Sequence, residues 1–199
     1  MTGAENRGRF TLISMDAYEA IMTRRSVAKT TAKVCDQDLI ARLLDAGVRA
    51  PNHFLTQPWR FVVLTGEARN DLGEAWASGA KREGKDPDLA RQKPLRAPVI
   101  IAVIERPKTG HKKVLKEEEH YATSAAIQNI LLAAHAEGLG AMIRTGDAAA
   151  LPEVRTYLGV SDDELIAALI YVSYPLEDEP ERPLTRRAPV SEVTEWRGW

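Results

Sequence analysis

The 199-residue sequence has a single cysteine, no excess of either charge and no long apolar run, and each shortage removes a class of reading. Cys35 alone cannot close an internal disulfide, which fits a reducing cytoplasm, and it leaves no cysteine-based metal site or redox pair. Asp36 beside it gives the thiol no activation, so Cys35 reads as structural. A net charge of -1 removes the usual electrostatic argument for nucleic acid or an anionic membrane as partner. No stretch is apolar over enough residues to cross a bilayer, and residues 1 to 14 carry charges where a leader would carry an apolar core. The four histidines are scattered rather than clustered as metal ligands. No G-x-G-x-x-G follows a strand, which argues against a dinucleotide-binding Rossmann unit. There is no internal repeat and no low-complexity segment.

What is present is the composition of an ordinary globular protein. Apolar residues at 44% and charged residues at 28% exclude general disorder, and the length suits one domain with a real core. The chain is organised around Glu119 to Gly146. Ala125 to Ala136 is apolar on nearly every side, interrupted only by Gln128, Asn129 and His135, which predicts a buried central helix. Gly138 and Gly140 stop it, and the short run Ala141-Met142-Ile143 leads to Arg144-Thr145-Gly146. A cation and a hydroxyl at the end of a strand make an anion pocket, although a core helix with its cap and an edge strand would read the same way.

Around that centre the other elements follow. Residues 1 to 14 read as a flexible tail. A short amphipathic helix covers Met15 to Thr23 and ends at Arg24-Arg25-Ser26, where two cations also suit a helix C-terminus. Asp36 can cap a second helix with Leu39, Ile40, Leu43 and Leu44 on one face. Pro51 turns the chain out of helix, and residues 52 to 57 form a loop before a strand from Arg60 to Thr65. A helix from Glu67 to about Arg82 is expected to give way to an irregular, mobile stretch between Glu83 and Lys93. Pro98 to Glu105 has the Val/Ile-rich run of a strand covered on both faces. Arg106 to Glu118 is a short connection before the central helix. A helix from Leu151 to Leu158, a capping box at Ser161 to Glu164 and a strand from Ile166 to Tyr174 complete the domain. From Pro175 onward four prolines prevent helix while Trp196 and Trp199 still need cover, which predicts an arm lying on its own domain or around a second subunit.

Four segments, taken together, resemble the nitroreductase family of FMN-dependent flavoproteins. They are Arg24-Arg25-Ser26, Arg49-Ala50-Pro51 followed by Gln57-Pro58-Trp59-Arg60-Phe61, the Ala126-Ile127-Gln128-Asn129 helix, and Met142-Ile143-Arg144-Thr145-Gly146. A histidine after the A-P turn and the short connection at 106 to 118 are similar to the minimal, YdjA-like bacterial subgroup. The resemblance implies an α+β fold with a mostly antiparallel central sheet flanked by helices. It also implies a homodimer with exchanged C-terminal arms, so that 15–175 is the FMN-binding domain and 176–199 the arm.

By the same resemblance, FMN would be held by Arg24, Arg25, Ser26, Ile143, Arg144 and Thr145, with Arg49 and His53 contributed by the other subunit. Gln57 and Trp59 read as packing or supporting residues, and His135 as a satisfied core residue. The implied activity is NAD(P)H oxidation coupled to reduction of nitroaromatics, quinones or similar planar acceptors by ping-pong hydride transfer in the cytoplasm. No protein acid or base is then required, because the flavin carries the chemistry. The short 106 to 118 connection implies no large lid over the flavin. The alternative is a flavin-binding sensor or interaction protein with little turnover.

Overall fold

The computed structural model describes residues 15–108, 112–177 and 185–199, so the N-terminal tail and part of the C-terminal arm lie outside it. Ten regular elements follow one another. They are α1 (Ala17–Thr23), α2 (Gln37–Gly47), β1 (Trp59–Thr65), α3 (Glu67–Arg82), α4 (Pro87–Gln92), β2 (Val99–Glu105), α5 (Lys116–Ala136), β3 (Gly140–Arg144), α6 (Pro152–Tyr157) and β4 (Leu165–Ser173). The four strands pair antiparallel throughout, in the order β1-β2-β4-β3. This is the expected α+β architecture.

Strand β2 is buried at every position, as its unbroken apolar run requires, because its alternate residues enter two different cores. Ile100, Ala102 and Ile104 pack with Leu72, Trp76 and Leu151 under α3, α4 and α6. Val99, Ile101 and Val103 pack with Leu43, Ile130 and Ala134 under α2 and α5.

Helix α2 is pinned along α5. Arg42 makes a bidentate pair with Glu137 at 2.8 and 2.9 Å, and the Asn129 side-chain amide donates to Ala46 O. Between these ties Gly47 sits so close to Ile130 that a Cβ would come within 2.9 Å of its Cγ1.

Two expectations change. The stretch from Glu83 to Lys93 is not irregular throughout: Asp86 Oδ1 accepts from the N–H groups of Asp88 and Leu89, and Pro87 opens α4. Gly84 and Pro87 therefore mark a turn and a helix start rather than the absence of structure. The central helix begins at Lys116 and is buried along one side only. Tyr121 is 71% exposed, and Ser124 and Gln128 share its outward side. The described residues cover α5 on the sheet and α2 sides and leave the third bare.

Candidate functional site

The residues singled out in the sequence occupy three places. The first lies where α1 meets the end of α5 and the start of β3. Thr23 Oγ1 is 2.8 Å from His135 Nε2, and the Val27 N–H donates to Ala141 O at 3.0 Å. Arg24, Arg25 and Ser26 are thus held between α5 and the outer edge of β3. Gly140 allows this approach: a Cβ there would come within 2.8 Å of Val27 Cγ1. Burial lowers the His135 pKa, and the positive charges of Arg24 and Arg25 lower it further.

The second place is the outer strand β3 itself. In an antiparallel pair, directly opposed side chains share a face. Ile143 opposes Ile170 and so points to the α5 side, whereas Arg144 opposes Leu169 and points to the α3 side. Ile143 is 40% exposed, and the Arg144 guanidinium lies 5.5 Å from the centre of the Tyr171 ring. Thr145 follows at the strand's end and precedes a 3-10 turn from Gly146 to Ala150.

The third place is the loop after the A-P turn. His53 Nδ1 lies 2.9 Å from Glu118 Oε2, and this interaction holds the Glu118 carboxyl below the ordinary carboxylate range. Asn52 clamps the loop by accepting from the Gln57 N–H and donating to Ala50 O. Inside the clamp Phe54, Leu55 and Gln57 have φ of 51, 53 and 46, a left-handed backbone that costs about 1 kcal/mol or more at each non-glycine residue. Arg49 is exposed just before Ala50, which packs with Trp59, Ala122 and Ala126. The Glu118 partner, 65 residues away in sequence, could not be read from the chain.

Within one chain these places do not all converge. His53 is tied to the first turn of α5 and the Arg24 region to its last, about 25 Å apart along the axis of the 21-residue helix. Arg24, Arg49 and Arg144 carry no ion pair among the described residues. Guanidinium groups left without a carboxylate are available to an external anion. A cavity of about 220 Å³ does open elsewhere, between Trp76, Lys85, Leu89, Lys93 and Asp147, and contains none of the predicted residues. Trp59 and Cys35 are buried, as expected of packing residues.

Known proteins share this fold and much of this sequence. The Nitroreductase family model covers residues 21–174. The chain belongs to the nitroreductase family. It is 34% identical over 164 residues to the Escherichia coli (strain K12) protein named "Putative NAD(P)H nitroreductase YdjA", covering 81% of this chain and 89% of that one. Among solved structures, a nitroreductase-like family protein from Bacillus cereus superposes with a TM-score of 0.79 at 27% identity, covering 92% of this chain and 96% of the other. A "putative nitroreductase in complex with fmn" from Desulfovibrio desulfuricans superposes with a TM-score of 0.69 at 26% identity, covering 92% and 96%. Among the described residues no helix is long and apolar enough to cross a membrane.

Proposed function

We propose that this nitroreductase-family chain is a cytoplasmic, FMN-dependent NAD(P)H oxidoreductase that works as a homodimer and reduces nitroaromatics, quinones or similar planar acceptors. The observation that carries the reading is the separation of the candidate residues to opposite ends of α5, beside a face of that helix that the described residues leave bare. A two-fold related copy packed on that face with its α5 antiparallel sets the first turn of one helix beside the last turn of the other. Arg49 and His53 of one copy then approach Arg24, Arg25 and Ser26 of the other. Two copies make two complete sites, and one copy makes none.

The residues present suit FMN. Its phosphate needs cations that no carboxylate already neutralises, which Arg24 and Arg144 supply among the described residues. Its ring needs apolar contact, which the half-exposed Ile143 offers on the α5 side. A cation near the ring also favours the negative charge that reduction adds, a role open to Arg25. Bound at this site, FMN would supply the hydride-transfer chemistry that couples NAD(P)H to the second substrate in a ping-pong order. The protein's own task is to orient flavin and acceptor. The fold neighbour solved with FMN and the relatives named as NAD(P)H nitroreductases support this assignment.

The test is the visible spectrum of the purified protein before and after NADPH is added without oxygen. Flavin bands that bleach, followed by turnover with a quinone, are expected. A protein that neither carries nor takes up FMN would overturn the reading, and a flavin that NADPH and NADH leave oxidised would favour a binding role.

A further inference from the structure

The cavity of about 220 Å³ on the α3 side of the sheet combines apolar walls with charged groups. Trp76, Ala80, Ala90 and Leu151 line it and are buried, whereas Leu89 is 56% exposed and opens it to solvent. Voids larger than a water molecule are few in a packed domain, and an apolar cavity of roughly 150 Å³ takes up benzene rather than water. The charges around it are unevenly matched. Lys85 Nζ lies 2.8 Å from Glu83 Oε2 and 2.9 Å from Asp147 Oδ2, so one ammonium holds both carboxylates. Asp86 Oδ1 caps α4 by accepting from the N–H groups of Asp88 and Leu89. The Lys93 ammonium has no hydrogen bond or ion pair among the described residues; it lies over the Trp76 ring, 5.1 Å from its centre. Lys93 acts on Asp147 only at longer range, as the last of the causes that lower that carboxyl's pKa, after its bond to Lys85.

We propose that this cavity binds a small, single-ring aromatic carboxylate, with the ring against Trp76 and Leu151 and the carboxylate paired to Lys93. The volume admits one ring and a substituent and is too small for a flavin or a dinucleotide. An anion gives Lys93 the partner it lacks, whereas a cation would have to compete with Lys85 for Glu83 and Asp147. The indole wall favours a flat ring over an alkyl chain of the same size. The site includes none of the flavin candidates and needs no second copy, so it stands apart from the oxidoreductase reading.

The experiment follows the indole N–H resonance of Trp76 in the isotope-labelled full-length protein as purified, assigned by its loss in Trp76→Phe. Benzoate should shift this resonance saturably, and benzylamine, the same ring with a positive charge, should leave it in place. Lys93→Gln should weaken benzoate binding roughly tenfold, the loss of one charge-assisted pair. Ala80→Met pushes a flexible side chain into the cavity and should abolish the shift. Hexanoate, which carries the carboxylate without a ring, should bind roughly fivefold more weakly than benzoate. A Trp76 resonance that benzoate does not move, or that benzylamine moves as far, would overturn the proposal. Equal benzoate affinity in the wild type and Lys93→Gln would do the same, and equal affinity for hexanoate and benzoate would overturn the ligand class. Should Ala80→Met fail to fold, Lys93→Gln and the two control ligands still decide. Benzoate that perturbs only the flavin absorption and leaves Trp76 unmoved is bound at the flavin, which also counts against the cavity.

Discussion

Thr23 donates its only hydroxyl proton to Glu19 O at 2.6 Å while its oxygen lies 2.8 Å from His135 Nε2, so the imidazole nitrogen must be the donor in the second bond. His135 is thereby fixed as the neutral Nε2–H tautomer at the seam between α1 and α5. Burial and the neighbouring Arg24 and Arg25 depress its pKa. A histidine depressed in the folded state costs stability once the unfolded chain begins to bind its proton, that is, as pH falls below about 6.5. The melting temperature should therefore drop between pH 7.5 and pH 5, and His135→Gln should reduce that drop by a few degrees. An identical pH dependence in the two proteins would show that His135 is not a contributing group.

Arg24→Ala and Arg144→Ala each remove a guanidinium that has no carboxylate partner among the described residues. Neither change breaks an ion pair among the described residues, so the fold should tolerate both with less than about 1 kcal/mol of loss. FMN affinity should fall about tenfold to a hundredfold in each, as expected for charge-assisted contacts to a phosphate. Titration followed by flavin fluorescence measures this. Wild-type affinity in both variants would remove these residues from the site.

The fold was legible where pattern and environment coincide. The apolar run of β2 announced a strand covered twice, and both cores use it. The bare side of α5 was hidden because Tyr121, Ala125 and Leu132 look like core residues when only one chain is considered. Helix α4 was hidden because Gly84 and Pro87 read as breakers, although Asp86 and Pro87 also form a helix start. Arg144 was legible as a cation on a strand end. Its turn towards Tyr171, away from α5, depends on the β3–β4 register, which no local segment encodes.

Glu164 provides a second pH-dependent contribution, with a different window. Arg60 grips it at 2.8 and 2.7 Å and the Ser161 N–H donates to it, and the Arg60 hydrogen bond chiefly lowers its pKa to about 2. The stability from a depressed carboxylate is complete above its unfolded value and is lost as pH falls towards 2. The pair joins β1 to the turn before β4. Glu164→Gln should destabilise the protein by about 2–3 kcal/mol at pH 7 and by little near pH 2. Denaturant unfolding at the two pH values tests it, and equal losses at both would contradict the ion-pair account.

A site shared between two copies predicts complementation. Arg24→Ala and Arg49→Ala would each spoil both sites of their own homodimers. A mixed dimer would place both changes in one site and leave the other wild type. Co-expression with two different tags, followed by isolation of the mixed species, should recover about half the FMN-binding capacity per dimer. If the mixed dimers bind no better than the single-variant homodimers, each site is built from one chain.

The C-terminal segment supplies the last test. Every described residue from 185 to 199 is exposed, including Val190, Val193, Trp196 and Trp199, and the two indoles lie edge to face with ring centres 5.9 Å apart. Trp199 alone is 99% exposed. Two tryptophans left in water forgo several kcal/mol of burial, which a second copy could recover by accepting the arm. Removing residues 185–199 should therefore weaken the dimer at least tenfold while leaving the secondary structure unchanged. Light scattering across a dilution series, with circular dichroism as the control, reads both. A truncated protein that stays dimeric to the same dilution as the full chain would place the arm on its own domain, because α5 alone would then be holding the two copies together.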